Sequence, residues 1–305
     1  MHDGTGMKKT SDKVSNRARR RFLQGSIALV YDFDGTLTPK PMQNYTVLAK
    51  LGISADEFWN EVNTEVARTG GDHMLTYMRL IVDRLRSSDE HITRDDLRRL
   101  ATDIEYFPGV ETWFERVNRY VERRTRGKVR VRHYLISAGL REILEGVSIR
   151  HQFRRIYASQ YFFDKYDRAT FPTIVINDTA KTQYLFRINK GIEDPRESIN
   201  DHMPEQQRPI PFGHMLYIGD GMTDVPCMTV AKKNGGFAVA VYQPKLTKSL
   251  TTCQELARAD RIDYFAPADY REGRTLERRV QVILDVMIAR ILFERERFAL
   301  RRELD

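Results

Sequence analysis

Two carboxylates, Asp32 and Asp34 in Tyr31-Asp32-Phe33-Asp34-Gly35-Thr36, stand just past the short apolar run Ile27-Ala28-Leu29-Val30-Tyr31. In open α/β sheets ligands bind beyond the carboxyl ends of strands. Alternation of residues leaving a strand can aim both acids into one crevice. Two like charges so placed repel unless a cation lies between them, and Mg²⁺ is a hard ion suited to carboxylate oxygens. A calcium loop is excluded, since no glutamate follows at its closing position. A second acidic turn follows another strand-like run: His214-Met215-Leu216-Tyr217-Ile218 leads into Gly219-Asp220-Gly221-Met222-Thr223-Asp224. Asp220 leaves the strand end, and Asp224, four residues on, reaches back from the first turn of the next helix. The two strand ends thus supply four carboxylates to one divalent-cation site.

These segments resemble the haloacid dehalogenase-like superfamily, and within it the phosphoserine-phosphatase-like hydrolases. The first motif of that family, Asp-x-Asp-x-Thr after a strand, is matched by Asp32, Asp34 and Thr36. The second, a Ser or Thr ending the next core strand, is matched by Ser137 in Tyr134-Leu135-Ile136-Ser137-Ala138-Gly139, and the fourth by Gly219 to Asp224. The ordered motifs extend from Asp32 to Asp224, and the core resemblance continues to about Tyr270. Ser137 can also cap a helix beginning near Leu140. Both roles are compatible, because helix N-termini present N–H groups to phosphate. The third motif is a lysine on a helix, with candidates Lys181 and Lys190 on one predicted helix. Nine steps of ~100° leave half a revolution, so only one can face the site. Lys181 shares the apolar side of Tyr184, Leu185 and Ile188, whereas Lys190 precedes Gly191 as a last-turn cation.

The resemblance implies roles. Asp32 is the nucleophile that becomes an aspartyl-phosphate, and Asp34 is the general acid and then the general base. Thr36, Ser137, Ala138, Gly139 and Lys181 contact the phosphate. The candidate Mg²⁺ residues are Asp32, Asp34 (through its main-chain carbonyl), Asp220 and Asp224, the last orienting the metal shell or Lys181. Asp34 argues against carbon–halogen cleavage, which has no leaving oxygen to protonate. The expected activity is hydrolysis of a small phosphorylated metabolite. The phosphoserine branch places a Glu soon after the first motif; here that segment reads Thr38-Pro39-Lys40-Pro41-Met42-Gln43-Asn44. Phosphoserine itself is therefore not carried over, and Lys40, Gln43, Asn44 and Arg79 are candidate specificity residues.

The elements that must position these groups alternate strand and helix. Strand-like runs recur at 131–136, 173–176, 215–218, 237–241 and 262–265, with helical patterns between most of them. Pro108-Gly109 opens one such helix, with Val110, Trp113, Phe114, Val117 and Val121 at three- and four-residue steps. This pattern predicts an α/β fold, a doubly wound, Rossmann-like parallel sheet covered on both faces. Its core comprises residues 25–38 and 107–270. Residues 39–106 lack strand signals and form an inserted helical cap. A capping box is expected at Ser54 and Glu57, a second helix over Met74–Leu85, and a third capped by Thr93. Residues 191–213 hold four prolines and no period, which predicts a flexible excursion or a flap over the site. The last helix, Thr275 to about Arg302, carries one apolar stripe and nearly balanced charge, so it docks on the core or forms a dimer seam.

Composition bounds the remaining classes. The 305 residues are 41% hydrophobic and 30% charged, which excludes disorder throughout. No apolar run approaches the ~18 to 20 residues that cross a bilayer. Two cysteines, Cys227 and Cys253, make no disulfide framework and fit a reducing cytoplasm. Residues 1–24 carry +5 of the net charge of +8, seven cations against two acids. This segment reads as a solvated basic arm, with nucleic-acid contact the alternative. Two rival functions accompany it: a phosphatase of nucleotide or nucleic-acid ends, and a non-catalytic binding module on the same core. The protein is expected as a monomer or homodimer.

Overall fold

The computed structural model describes residues 22–304, so most of the basic arm lies outside the described residues. Its strands are β1 (Ser26–Tyr31), β2 (Arg130–Leu140), β3 (Phe153–Phe163), β4 (Ala169–Ile174), β5 (Met215–Gly219), β6 (Phe237–Tyr242) and β7 (Tyr264–Pro267). They form one seven-stranded sheet in the order β4-β3-β2-β1-β5-β6-β7. The order reverses at β1, and such a switch point opens a crevice at the carboxyl ends of the central strands. Every pairing is parallel except β3 with β4. β1 is buried along its whole length, as a strand covered on both faces must be.

The principal helices are α1 (Ala55–Thr69), α2 (His73–Ser87), α3 (Arg94–Leu100), α4 (Val110–Thr125), the single-turn α5 (Arg141–Leu144), α6 (Lys181–Lys190), α7 (Val225–Lys233), α8 (Thr247–Arg258) and α9 (Thr275–Leu304). The first three, with the short turns Met42–Tyr45 and Val47–Lys50, lie between β1 and α4, and no strand forms there among the described residues. All five predicted apolar residues of α4 are buried. So are Leu276, Val280, Ile283, Leu284, Met287 and Ile291, the apolar stripe of α9, which packs against β6, β7 and α4.

Four expectations are corrected. β3 was missed because Phe153-Arg154-Arg155-Ile156 opens it with two exposed arginines that break the apolar run. Of the run at 173–176 only Thr173 and Ile174 are in a strand, β4, which returns antiparallel through a turn where Asp164 Oδ1 accepts the Tyr166 and Arg168 N–H groups. Ser54 makes no side-chain cap on α1: it and Glu57 are exposed, so water serves the free N–H groups. Asp72 instead caps α2 through Leu75 N–H at 2.9 Å, while Thr93 and Asp96 form the capping box of α3. Finally, 191–213 is tied down and none of it lines the central cavity. Arg187 donates to the carbonyls of Ile192, Asp194, Pro195 and Glu197, and Lys190 Nζ to those of Ile199 and Asp201. Side-chain cations on α6 satisfy backbone that has no regular partner.

Candidate active site

Asp32 lies directly beyond β1, its N–H bonded to the Ile218 carbonyl of β5. Its side chain is almost fully buried. Lys181 Nζ, from the first turn of α6, donates to Asp32 Oδ1 and to Asp224 Oδ1, both at 2.8 Å. The Lys181 side chain is 2% exposed, so this three-group contact is screened from water. Asp224 Oδ1 also accepts the Tyr217 hydroxyl at 2.7 Å, and Asp224 Oδ2 accepts the Asp220 N–H at 3.1 Å. Asp224 is therefore a hub that fixes both the lysine and the Asp220 turn. Lys190 points away, as the half-revolution requires.

Asp32, Asp220 and Asp224 each offer an oxygen within 4.8 Å of the others. Two glycines permit this approach. Gly35 sits at φ +81°, a left-handed conformation, and a Cβ there would collide with the Asp220 carboxylate. A Cβ on Gly219 would collide with Asp224. Burial, then the charges of Asp224 and Asp32, push the Asp220 carboxyl well above its ordinary value. Were all three carboxylates ionised, their charge against the one ammonium would be a net −2, which a divalent cation would balance. The all-oxygen donor set also suits Mg²⁺. The residues fit the ion.

The Asp34 carboxylate stands outside this cluster, and Oδ1 accepts the Met42 N–H at 2.7 Å. Burial and the neighbouring Asp32 charge push the Asp34 carboxyl up to about 8, so it holds a proton at neutral pH. Burial pushes Asp32 up to about 6 despite the opposing pull of Lys181. Two carboxyls two residues apart are thus driven to different protonation, the arrangement that separates an acid from a nucleophile.

The remaining predicted residues are placed as follows. The Thr36 hydroxyl donates to Asp32 Oδ2 at 3.4 Å and is fully buried, so it faces the acid rather than the cavity. Ser137 lies at an irregularity in the β2–β3 register and its Oγ accepts the Gly139 N–H at 2.9 Å. It does not cap α5, whose N-cap is Leu140. Ala138 and Gly139 line the cavity. Met42 covers this loop, since a Cβ on Gly139 would collide with its thioether. Of the candidate specificity residues, Gln43 lines the cavity and Asn44 accepts the Trp59 indole N–H. Lys40 lies over the Tyr45 ring. Arg79 does not reach the site: it pairs with Glu65 and Asp83 on an exposed face.

The cavity encloses about 410 Å³ and Trp59, His73, Met74 and Tyr77 line it too. Sequence reasoning missed these four, since aromatics at helical spacing read as core. Asp178 and Thr223 complete its core side. Among the described residues both cysteines are free and buried, and no helix is long and apolar enough to cross a membrane.

Comparison with known proteins agrees with this geometry. The family profile described as haloacid dehalogenase-like hydrolase matches residues 29–229. A protein of Borreliella burgdorferi described as uncharacterized is 26% identical over 280 residues, spanning 82% of this chain and 93% of its own. Among solved structures, a haloacid dehalogenase family hydrolase from Salmonella enterica serovar Typhi superposes with a TM-score of 0.53 at 14% identity, covering 86% of this chain and 76% of its own. A phosphoserine phosphatase captured as a phospho-aspartyl intermediate analogue gives 0.51 at 16% identity, covering 84% and 98%. These two share the fold. With the profile spanning both acidic turns and the sheet between them, the chain belongs to the haloacid dehalogenase-like hydrolase family.

Proposed function

We propose that this hydrolase is a Mg²⁺-dependent phosphomonoesterase that works through a phosphorylated Asp32. The observation that carries the reading is Asp32, lining the cavity and held by Lys181 beside Asp220 and Asp224. Asp32, Asp220 and the Asp34 main-chain carbonyl would hold the ion, with Asp224 behind them. Bound there, Mg²⁺ supplies charge neutralisation for the approach of one anion to another.

The chain's own groups then account for the steps. An Asp32 carboxylate oxygen forms a bond to phosphorus as the ester oxygen departs with the proton of Asp34. Lys181 offsets charge on Asp32 and on the phosphoryl oxygens. A water next attacks phosphorus, its proton goes to Asp34, and the acyl-phosphate bond breaks to release phosphate and restore Asp32. The Met42 N–H holds Asp34 in place for both transfers. The test is hydrolysis of an aryl phosphate with Mg²⁺. Asp32→Asn, Asp34→Asn and chelation each abolish it; full turnover by Asp32→Asn overturns the reading.

A further inference from the structure

The wall facing Asp32 has a chemical character that the hydrolytic steps do not require. Between the two acidic turns, Pro41, Gln43, Trp59, His73, Met74 and Tyr77 line the cavity, with no arginine, lysine, aspartate or glutamate among them. The formal charges, Asp32, Asp34, Asp178 and Lys181, come instead from the turn after β1 and the start of α6. An amino-acid leaving group would lose hydration of its carboxylate against this wall with no cation to replace it.

What the wall offers is a fixed aromatic face. The Trp59 and His73 rings stack at 6.0 Å with 9° between planes, and Tyr77 meets Trp59 edge-on at 5.8 Å. Each ring is anchored at its polar end. Asn44 Oδ1 accepts the Trp59 Nε1–H at 3.1 Å, and Asn63 Oδ1 lies 3.1 Å from His73 Nε2. The Tyr77 hydroxyl donates to the Ala138 carbonyl at 3.2 Å, tying the wall to the loop that follows Ser137. His73 Nδ1 is buried and has no hydrogen-bond partner among the described residues. A rigid aromatic surface stacks a flat ring without first losing side-chain freedom. A volume of about 410 Å³ falls within the small-molecule range of roughly 300–1,000 Å³.

We infer that the leaving group is uncharged and carries a planar ring that packs against Trp59, with Tyr77 buried behind it. This rests on the phosphomonoesterase reading. The test compares benzyl phosphate with phosphoserine, phosphoethanolamine and glycerol phosphate at saturating Mg²⁺. All four leave as alkoxides, so the comparison reads the ring rather than leaving-group acidity. Adenosine monophosphate tells a nucleoside from a simple aryl group, and either result supports a planar ring. We expect kcat/KM for benzyl phosphate about tenfold above the three others, the fold-change of one aromatic contact. Trp59→Ala erases the advantage, mainly through KM, and Trp59→Phe restores most of it. Preference for phosphoserine or phosphoethanolamine, or an advantage that survives Trp59→Ala, overturns the inference while leaving the hydrolase reading intact. Binding supplies an independent readout. The only tryptophans are Trp59 and the fully buried Trp113, so benzylphosphonate should change Trp59 emission and bind more tightly than ethylphosphonate. If it does so while no ester is hydrolysed, the leaving-group inference stands and the phosphomonoesterase reading fails. Equal binding of the two phosphonates overturns the inference.

Discussion

Replacing Lys181 by methionine keeps most of the buried stem and removes the charge. Lys181 makes two 2.8 Å contacts to Asp32 and Asp224, and none of the three side chains is more than 6% exposed. At an effective dielectric of roughly 20 each contact is worth about 6 kcal/mol of gross Coulomb attraction. Desolvation of three ions offsets most of that. The effect of Lys181→Met is therefore set by the two carboxylates left without a counter-charge, about 3–5 kcal/mol. That corresponds to a fall in Tm on the order of 10 °C. Urea unfolding in EDTA measures it, and the same variant loses about 100- to 1,000-fold in kcat, the usual effect of removing one charge-stabilising donor. Adding Asp224→Asn to Lys181→Met should restore about 1–3 kcal/mol, because it removes one stranded charge. A single variant that loses less than about 1 kcal/mol, with no rescue in the double, would show that Lys181 is not the buried counter-ion this account requires.

Two further perturbations probe the scaffold. Burial pushes the His133 imidazole from 6.5 to about 3, and its ring nitrogens lie 3.0 Å from the Tyr31 hydroxyl and 3.1 Å from Asn118 Oδ1. The folded value is the lower one, so the unfolded chain takes the proton first. The His133 contribution is complete above about 6.5 and falls by about 1.4 kcal/mol per pH unit towards about 3. Unfolding free energies across that window should flatten by one proton in His133→Gln, and parallel slopes would contradict the assignment. Arg187→Met removes the donor to the Ile192, Asp194, Pro195 and Glu197 carbonyls, costs about 2–3 kcal/mol and opens the 191–213 segment to proteases. Since that segment lines none of the cavity, kcat/KM should change by less than about twofold; a large loss would mean that it reaches the substrate.

The parts legible in the sequence were those encoded by contiguous pattern. β1 and β5 are short apolar runs ending in acidic, glycine-containing turns, and the family motifs supplied the order of Asp32, Ser137 and Asp220. The facing of Lys181 followed from helical geometry together with the apolar side it shares with Tyr184, Leu185 and Ile188, and its side chain is buried while Lys190 reaches out to the 191–213 segment. What pattern could not reveal depends on pairing across the chain. β3 opens with two adjacent arginines that break its apolar run, and it is paired on both sides by β2 and β4. The 191–213 segment has no period because its order comes from bonds to side chains such as Arg187 and Lys190 and from its own Glu193 and Arg208, not from a repeating pattern. Trp59, His73 and Tyr77 come from two helices and meet only when these pack, so no local spacing marks them as a binding wall. Arg79 looked available for a substrate but has two acidic neighbours that one-dimensional reading does not bring together.

The central claim is that a phosphoryl group passes onto Asp32 itself. Acid quenching during turnover of an aryl phosphate, followed by borohydride reduction and peptide mass spectrometry, reads this directly, because reduction converts an acyl phosphate to homoserine. The account predicts homoserine at position 32, none at position 34, and loss of the signal when Mg²⁺ is omitted. Steady turnover with an unmodified Asp32 peptide, or label on another residue, would contradict it.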